Sequence, residues 1–387
     1  MRWLMDDICS SSDFDLQLVV TGAHLSVEHG LTYREIKADG FKIDASVPIS
    51  LDSSDEVSLS KSVGLLTGKL SEVFFTLRPD LVMVMGDRYE LLAVQAACIL
   101  SAIPIAHISG GEITEGAIDD QIRHAMTKVA HLHYVANKVY GMRVRQMGEE
   151  RWRICVSGEP GLDNIYRQPM MTSDELSADL GLDLSKPTAL VTYHPVTLEI
   201  EKLDEQMIEL LAALEEAYTR FGLQYVVTYP NADIGSDRVI KAWKGFVDSG
   251  SDRMLIKSMG QSRYLSALRT MSMMIGNSSS GLVEAPSFSM PAVNIGSRQG
   301  GRMRANNVID ASYNRLSILK AISQALSWDR KVPCTNPYGD GRSSQRILDH
   351  LRYVFSHYDR RQILSKKFFD FKKSDQEEML GIVVLGS

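Results

Sequence analysis

Short apolar runs alternate with longer stretches of helical periodicity along most of the chain. In the first half, residues 16–21 read as a strand closed by Gly22, and 57–77 as a helix stopped by Pro79. Residues 81–85 read as a buried strand, 89–102 as an apolar helix, 103–108 as a strand and 119–133 as a helix. Two further strands are predicted at 133–136 and 154–157. A polar, proline-bearing loop over 166–187 follows, and the alternation restarts. Strands are predicted at 189–193, 224–228, 254–256, 273–275 and 291–295, the last being the final strand, with helices at 200–221, 261–269 and 317–328. Strand–helix alternation of this kind predicts parallel, doubly wound sheets.

The fold class is therefore α/β, with two Rossmann-like domains and a cleft between them. The N-terminal domain covers 1–165, the C-terminal domain 186–350, and a helix at about 352–371 packs back on the first. Residues 372–387 form a tail without a predicted structure. The chain opens on a stretch that reads as mid-helix, so the first strand of domain 1 is expected to be missing.

Composition narrows the function classes. A 387-residue chain is long enough for two domains, and 44% hydrophobic residues fill ordinary soluble cores. A net charge of −6 offers no bulk attraction to nucleic acid or to an acidic membrane. The four cysteines are scattered without a paired motif, Cys98 reads as a buried thiol, and a cytoplasmic location is expected. No GxGxxG fingerprint supports a nicotinamide or flavin cofactor, and His131 and His133 alone do not make a metal site. No cofactor is expected.

The candidate chemistry lies on loops after predicted strands, where open α/β sheets build their sites. Asp87 follows Gly86 at the end of one strand, Glu112 follows Gly110 and Gly111 after the next, and Asp119 and Asp120 open a helix. Singly, each acid is explained as a helix cap or first-turn charge, and Asp119 with Arg123 as an i,i+4 pair. Converging carboxylates also shift one another's proton affinity, so that one serves as acid and another as base. In the second half, His194 sits between Tyr193 and Pro195 at a strand end. The run Gly276-Asn277-Ser278-Ser279-Ser280-Gly281 puts hydroxyls and amides at a helix start, an arrangement that holds anions. Glu284 is expected within that helix, in reach of a ribose diol, and Arg298 and Arg302 bring guanidinium forks suited to a diphosphate.

The chain resembles the hydrolysing UDP-N-acetylglucosamine 2-epimerases of sialic and legionaminic acid biosynthesis, which have the glycosyltransferase-B architecture. The stretches that carry the resemblance are Gly86-Asp87-Arg88, Gly110-Gly111-Glu112, Asp119-Asp120-Gln121-Ile122-Arg123-His124, Tyr229-Pro230-Asn231-Ala232-Asp233 and Gly276 to Gly281. The resemblance implies elimination of UDP from a UDP-sugar to a glycal, then hydration to a free manno-configured sugar. By matched position it implies Asp87, Asp119 and His194 as catalytic residues, with Glu112 as the carboxylate nearest the position where many members carry Glu and this chain has Ser109. Asn231, Ser278, Ser279, Glu284, Arg298 and Arg302 would bind UDP. It further implies a UDP-sugar substrate, a homo-oligomer, and no nucleic-acid or membrane partner. Many members carry Glu where this chain has Ser109; with Glu115-Gly116, that departure is similar to the branch handling UDP-2,4-diacetamido-2,4,6-trideoxyglucose. Members also begin with a strand and a basic Gly-Thr-Arg-Ala-type loop that this chain lacks. The rival readings are a glycosyltransferase of the same architecture, a non-hydrolysing epimerase, and a truncated sugar-nucleotide binder without turnover.

Overall fold

A computed structural model describes residues 1–26, 31–49, 56–113, 118–231 and 235–370. Glu115, Gly116, Ala232, Asp233 and the tail at 372–387 lie outside the described residues. The chain divides into two compact units, one built on residues 5–112, 118–156 and 346 onward, the other mainly on 157–345.

In the first unit, β1 (Val19–Thr21) pairs with β2 (Ala45–Val47), and β3 (Val82–Met85), β4 (Ile105–Ile108), β5 (Leu132–Val135) and β6 (Ile154–Val156) form a second sheet in that order. Every pairing is parallel. β1 and β3 are both edges, so the strands make two sheets rather than one. β4 and β5 are buried at every position, which explains their near-continuous apolar character. The helix Glu56–Leu77 packs on the helix Glu90–Leu100, and Leu66, Leu70, Phe74, Ala93, Ala97, Cys98, Ile105 and Met126 share one core. Cys98 is fully buried there, as its apolar context predicts.

The helix expected over 119–133 is Ile118–Val129, and His133 lies instead inside β5. The apolar run passes from helix to strand without a marked polar break, so periodicity alone misplaces the boundary. The chain closes on the first unit through the helices Ser343–His357 and Arg360–Leu364. Arg153, almost fully buried, donates to the carbonyls of Ile363, Gln362 and Ser365.

The second unit has one six-stranded parallel sheet. Its strands are β7 (Thr188–Thr192), β8 (Gln224–Thr228), β9 (Arg253–Ile256), β10 (Met273–Gly276), β11 (Ala292–Ile295) and β12 (Val308–Ala311). Their order is β12-β11-β10-β7-β8-β9, the doubly wound arrangement in which strand order reverses between β7 and β10. Val191, Tyr193, Leu210, Trp243, Ile275, Val293 and Ile322 belong to its core.

Three expectations change here. β11 is not the last strand, because Val308–Ala311 adds β12, a short edge strand whose Asp310 is exposed and breaks the apolar signal. The 166–187 loop contains a helix, Ser173–Leu180, fixed by a Thr172/Glu175 capping box and two buried leucines one turn apart. The helix expected over 200–221 is a 3-10 segment, Thr197–Lys202, running into the helix Leu203–Phe221.

Candidate functional site

The carboxylate cluster stands at the carboxyl ends of β3 and β4 in the first unit. Gly86, at φ +83°, turns the chain out of β3, and Asp87 follows it. Asp87 is ion-paired with Arg123, whose side chain is only 7% exposed. Arg123 also lies 3.9 Å from Asp120, which in turn contacts His124 at 3.2 Å. The local Asp119–Arg123 reading is thus superseded, since the guanidinium is engaged by Asp87 across the sheet end and by Asp120. Asp119 acts on Arg88 instead. Burial works against the Arg88 charge, but Glu90, Tyr89 and Asp119 more than offset it and raise its pKa.

The loop after β4 needs its glycines. Ser109 takes a left-handed φ of +67°, and its amide donates to the Tyr134 carbonyl. A Cβ on Gly111 would stand 2.5 Å from the Tyr140 carbonyl oxygen, so only glycine fits. Arg143 donates to the Gly111 carbonyl at 3.2 Å, which steadies the peptide leading into half-buried Glu112.

The residues expected to hold an anion stand at the reversal point of the second unit's sheet, on the loops after β7 and β10. A Cβ on Gly276 would lie 1.9 Å from the Thr192 carbonyl oxygen, so β10 must end in glycine for the two loops to come together. Fully buried Asn277 then joins them. Its Oδ1 accepts from the His194 amide at 2.7 Å, and its Nδ2 donates to the His194 carbonyl at 2.8 Å. Arg298 and Gln299 donate to the Asn277 carbonyl at 3.3 and 2.8 Å, which ties in the loop after β11.

The His194 ring is oriented by a backbone donor, the Asn231 amide, which reaches Nδ1 at 3.1 Å. Burial, and to a lesser degree the Arg298 charge, pushes its pKa down to about 4. The imidazole is therefore neutral at pH 7, with Nδ1 accepting and the proton on Nε2.

Ser278 and Ser279 precede a helix of one turn, Ser280–Val283, which runs into a 3-10 turn at Ala285–Phe288. Glu284 lies at that junction and not within a longer helix. Burial raises the pKa of Glu284, and the Arg302 charge pulls the other way. The second unit thus gathers His194, Asn231, Ser278, Ser279, Glu284, Arg298 and Arg302 around neighbouring strand ends. Sequence reasoning passed over Asn277 as an individual residue; its position between Gly276 and three serines was the available signal.

Comparison with known proteins agrees with this architecture. The chain is 39% identical over 317 residues to the GDP/UDP-N,N'-diacetylbacillosamine 2-epimerase (hydrolyzing) of Campylobacter jejuni, covering 82% of each chain. It is 36% identical over 366 residues to the UDP-N,N'-diacetylbacillosamine 2-epimerase (hydrolyzing) of Legionella pneumophila, covering 95% of this chain and 94% of that one. The crystal structure of UDP-GlcNAc 2-epimerase from Neisseria meningitidis bound to UDP-GlcNAc superposes with a TM-score of 0.76 at 15% identity, over 92% of this chain and 96% of that one. That likeness concerns the fold, two Rossmann-like units of the glycosyltransferase-B type. The family model for UDP-N-acetylglucosamine 2-epimerase matches residues 6–352, a span that includes both strand-end clusters, and the chain belongs to that family.

Proposed function

We propose that the chain is a hydrolysing 2-epimerase acting on UDP-N,N'-diacetylbacillosamine, the 2,4-diacetamido-2,4,6-trideoxy sugar nucleotide. Its free manno-configured product would enter legionaminic-type nonulosonic acid biosynthesis. The observation that carries the reaction type is Asp87, held by buried Arg123 at the end of β3, beside the end of β4 from which the chain runs on through glycine-lined Glu112 to the helix opened by Asp119. The choice of sugar is supported by the named activities of the Campylobacter and Legionella relatives.

In this reading Asp87, Glu112 and Asp119 divide the proton transfers at C2. One carboxylate removes the proton while the C1–O bond to UDP breaks, giving a glycal. Water then adds at C1, and a second acid delivers a proton to the opposite face of C2. Substrate plus water becomes UDP plus free sugar, with no net oxidation, so the chemistry needs no redox cofactor. Proton transfer by positioned groups contributes typically about 10²–10⁴-fold. Stabilising the departing diphosphate is the larger task, assigned to Ser278, Ser279, Arg298, Arg302 and the His194 Nε2–H. Asn231 and Glu284 are assigned to the nucleoside. Free thiols at all four cysteines fit a cytoplasmic enzyme. A homo-oligomer is proposed, to be checked by light scattering.

The test is incubation in D₂O with UDP-N,N'-diacetylbacillosamine and, separately, with UDP-N-acetylglucosamine, followed by NMR. Free manno-sugar with deuterium at C2, plus UDP, is the expected outcome, with faster turnover of the diacetamido substrate. An intact epimerised UDP-sugar, or binding without turnover, would overturn the reading.

A further inference from the structure

Asp87 is aimed by more than Arg123. The peptide that joins Gly86 to Asp87 leaves β3 through a glycine at φ +83°, where nothing stands within 4 Å of the Cβ position to restrain it. The carbonyl oxygen of that peptide lies 2.8 Å from Nε2 of His107, a fully buried residue of β4. A carbonyl only accepts, so Nε2 carries the proton and donates.

The other ring nitrogen, Nδ1, lies 3.1 Å from Oγ1 of Thr127, also fully buried. With Nε2 protonated, Nδ1 can only accept, so the single Thr127 hydroxyl proton is shared between Nδ1 and the Arg123 carbonyl, which lies 2.8 Å from Oγ1. Arg123 completes the circuit by pairing with Asp87. Gly110 is seated over the His107–Thr127 pair, where a Cβ would approach Thr127 Oγ1 to 3.0 Å and His107 Nδ1 to 3.2 Å. The ring stays neutral, because burial pushes its pKa down to about 4, with the His133 and Arg123 charges acting in the same direction against the Gly86 hydrogen bond.

We propose that His107 is a positioning residue for Asp87, acting through the Gly86–Asp87 peptide with Thr127 as its partner. Holding the Gly86 carbonyl sets ψ of Gly86 and the plane from which the Asp87 side chain departs. The Thr127 link keeps that plane in register with Arg123 on the facing helix. His107 touches no reacting atom in this scheme. The proposal rests on the assignment of Asp87 to proton transfer.

His107→Leu, His107→Gln and Thr127→Val test it. His107→Leu is expected to lower kcat roughly 100-fold, the scale of a displaced catalytic group, with KM shifted less than about threefold. Glutamine places an N–H donor near the former Nε2 and is expected to recover about tenfold or more of that loss, and Thr127→Val to lower kcat in the same direction as leucine. Crystal structures of the three variants give a readout independent of turnover. The Gly86–Asp87 peptide is expected to rotate in the leucine variant and to stay in place in the glutamine variant. Unchanged kcat per folded molecule, or an unmoved peptide and Arg123 pair in His107→Leu, overturns the proposal. Should leucine prevent folding, the glutamine and valine variants decide by the same two readouts. If the wild-type protein turns over neither sugar nucleotide, the functional reading fails, while the peptide orientation still decides the role of His107.

Discussion

Asn277 and His194 hold each other reciprocally: the asparagine amide accepts from the histidine's backbone N–H and donates to its backbone carbonyl. The two residues are 83 positions apart, and the pairing locks the loop after β7 to the loop after β10. It leaves the imidazole free to be oriented separately by the Asn231 amide.

Asn277→Ala removes both partners of a buried backbone pair. An unsatisfied buried polar group costs about 1–3 kcal/mol, so the variant is expected to lose roughly 2–5 kcal/mol of stability. Urea denaturation reads the loss, and calorimetry with UDP should show weakened binding in the fraction that remains folded. Binding at wild-type strength would mean that this amide does not shape the anion site.

Asp87→Asn keeps the shape of the side chain but removes its charge. Turnover is expected to fall about 10²–10⁴-fold with UDP affinity unchanged, because the residues proposed to bind the nucleotide lie on the other unit. Arg123→Met leaves Asp87 without its buried cation and is expected to cost about 3–5 kcal/mol in stability as well as activity. Kinetics and melts on the two purified variants separate these effects.

Gly276→Ala should not accumulate as folded protein. Its Cβ would lie 1.9 Å from a carbonyl oxygen, and φ is +136°, so both space and backbone oppose the change. Gly86→Ala is the contrast: no atom crowds its Cβ position, and only the φ of +83° opposes it, so a milder loss of about 1 kcal/mol is expected. Soluble yield and thermal melting compare the pair.

Stability is expected to fall in mild acid. His107, His131 and His194 have pKa values lowered to about 4, burial being the main cause in each. In the unfolded chain they take up protons near pH 6.5. The unfolded state therefore binds more protons between the two values, and stability present above pH 6.5 is lost as pH falls toward 4. Three such groups give a slope of at most about 4 kcal/mol per pH unit. Urea midpoints at pH 7, 6 and 5 measure it; an unchanged midpoint across that range contradicts the neutral burial of these rings.

A further consequence concerns Glu149, almost fully buried and contacted by His133 at 3.1 Å, Lys128 at 3.0 Å and Lys366 at 2.8 Å. Through Lys366 it ties residues near the end of the described chain to β5 and its preceding helix. Glu149→Gln is expected to release that segment, seen as faster hydrogen exchange over 360–366. Protection equal to the wild type would show that the remaining bonds, from Arg153 to the Ile363 carbonyl and from Lys366 to the Ala130 carbonyl, suffice to retain it.

Much of the architecture was legible because it is written locally. Apolar runs such as 105–108 and 224–228 mark strands wherever both sheet faces are covered, and helical spacing marks 56–77. The placement of Asp87, Glu112, His194 and Ser278 just after strands follows from the same alternation. What failed was also local in cause: Val308–Ala311 is too short and too polar at Asp310 to stand out, and only Ala130 and a single polar residue, His131, separate Val129 from β5.

The sequence by itself determined the two α/β units, the strand-end positions of the chemical residues, and the need for glycine beside them. Only the tertiary structure decided their partners. Arg123 took Asp87, 36 residues away, in place of the i,i+4 pairing with Asp119 while keeping Asp120 at 3.9 Å; Asn277 found the His194 backbone; His107 found the Gly86 carbonyl. Periodicity reports which face of an element is buried, whereas these contacts depend on which strands lie side by side and on how far each side chain reaches across the sheet end.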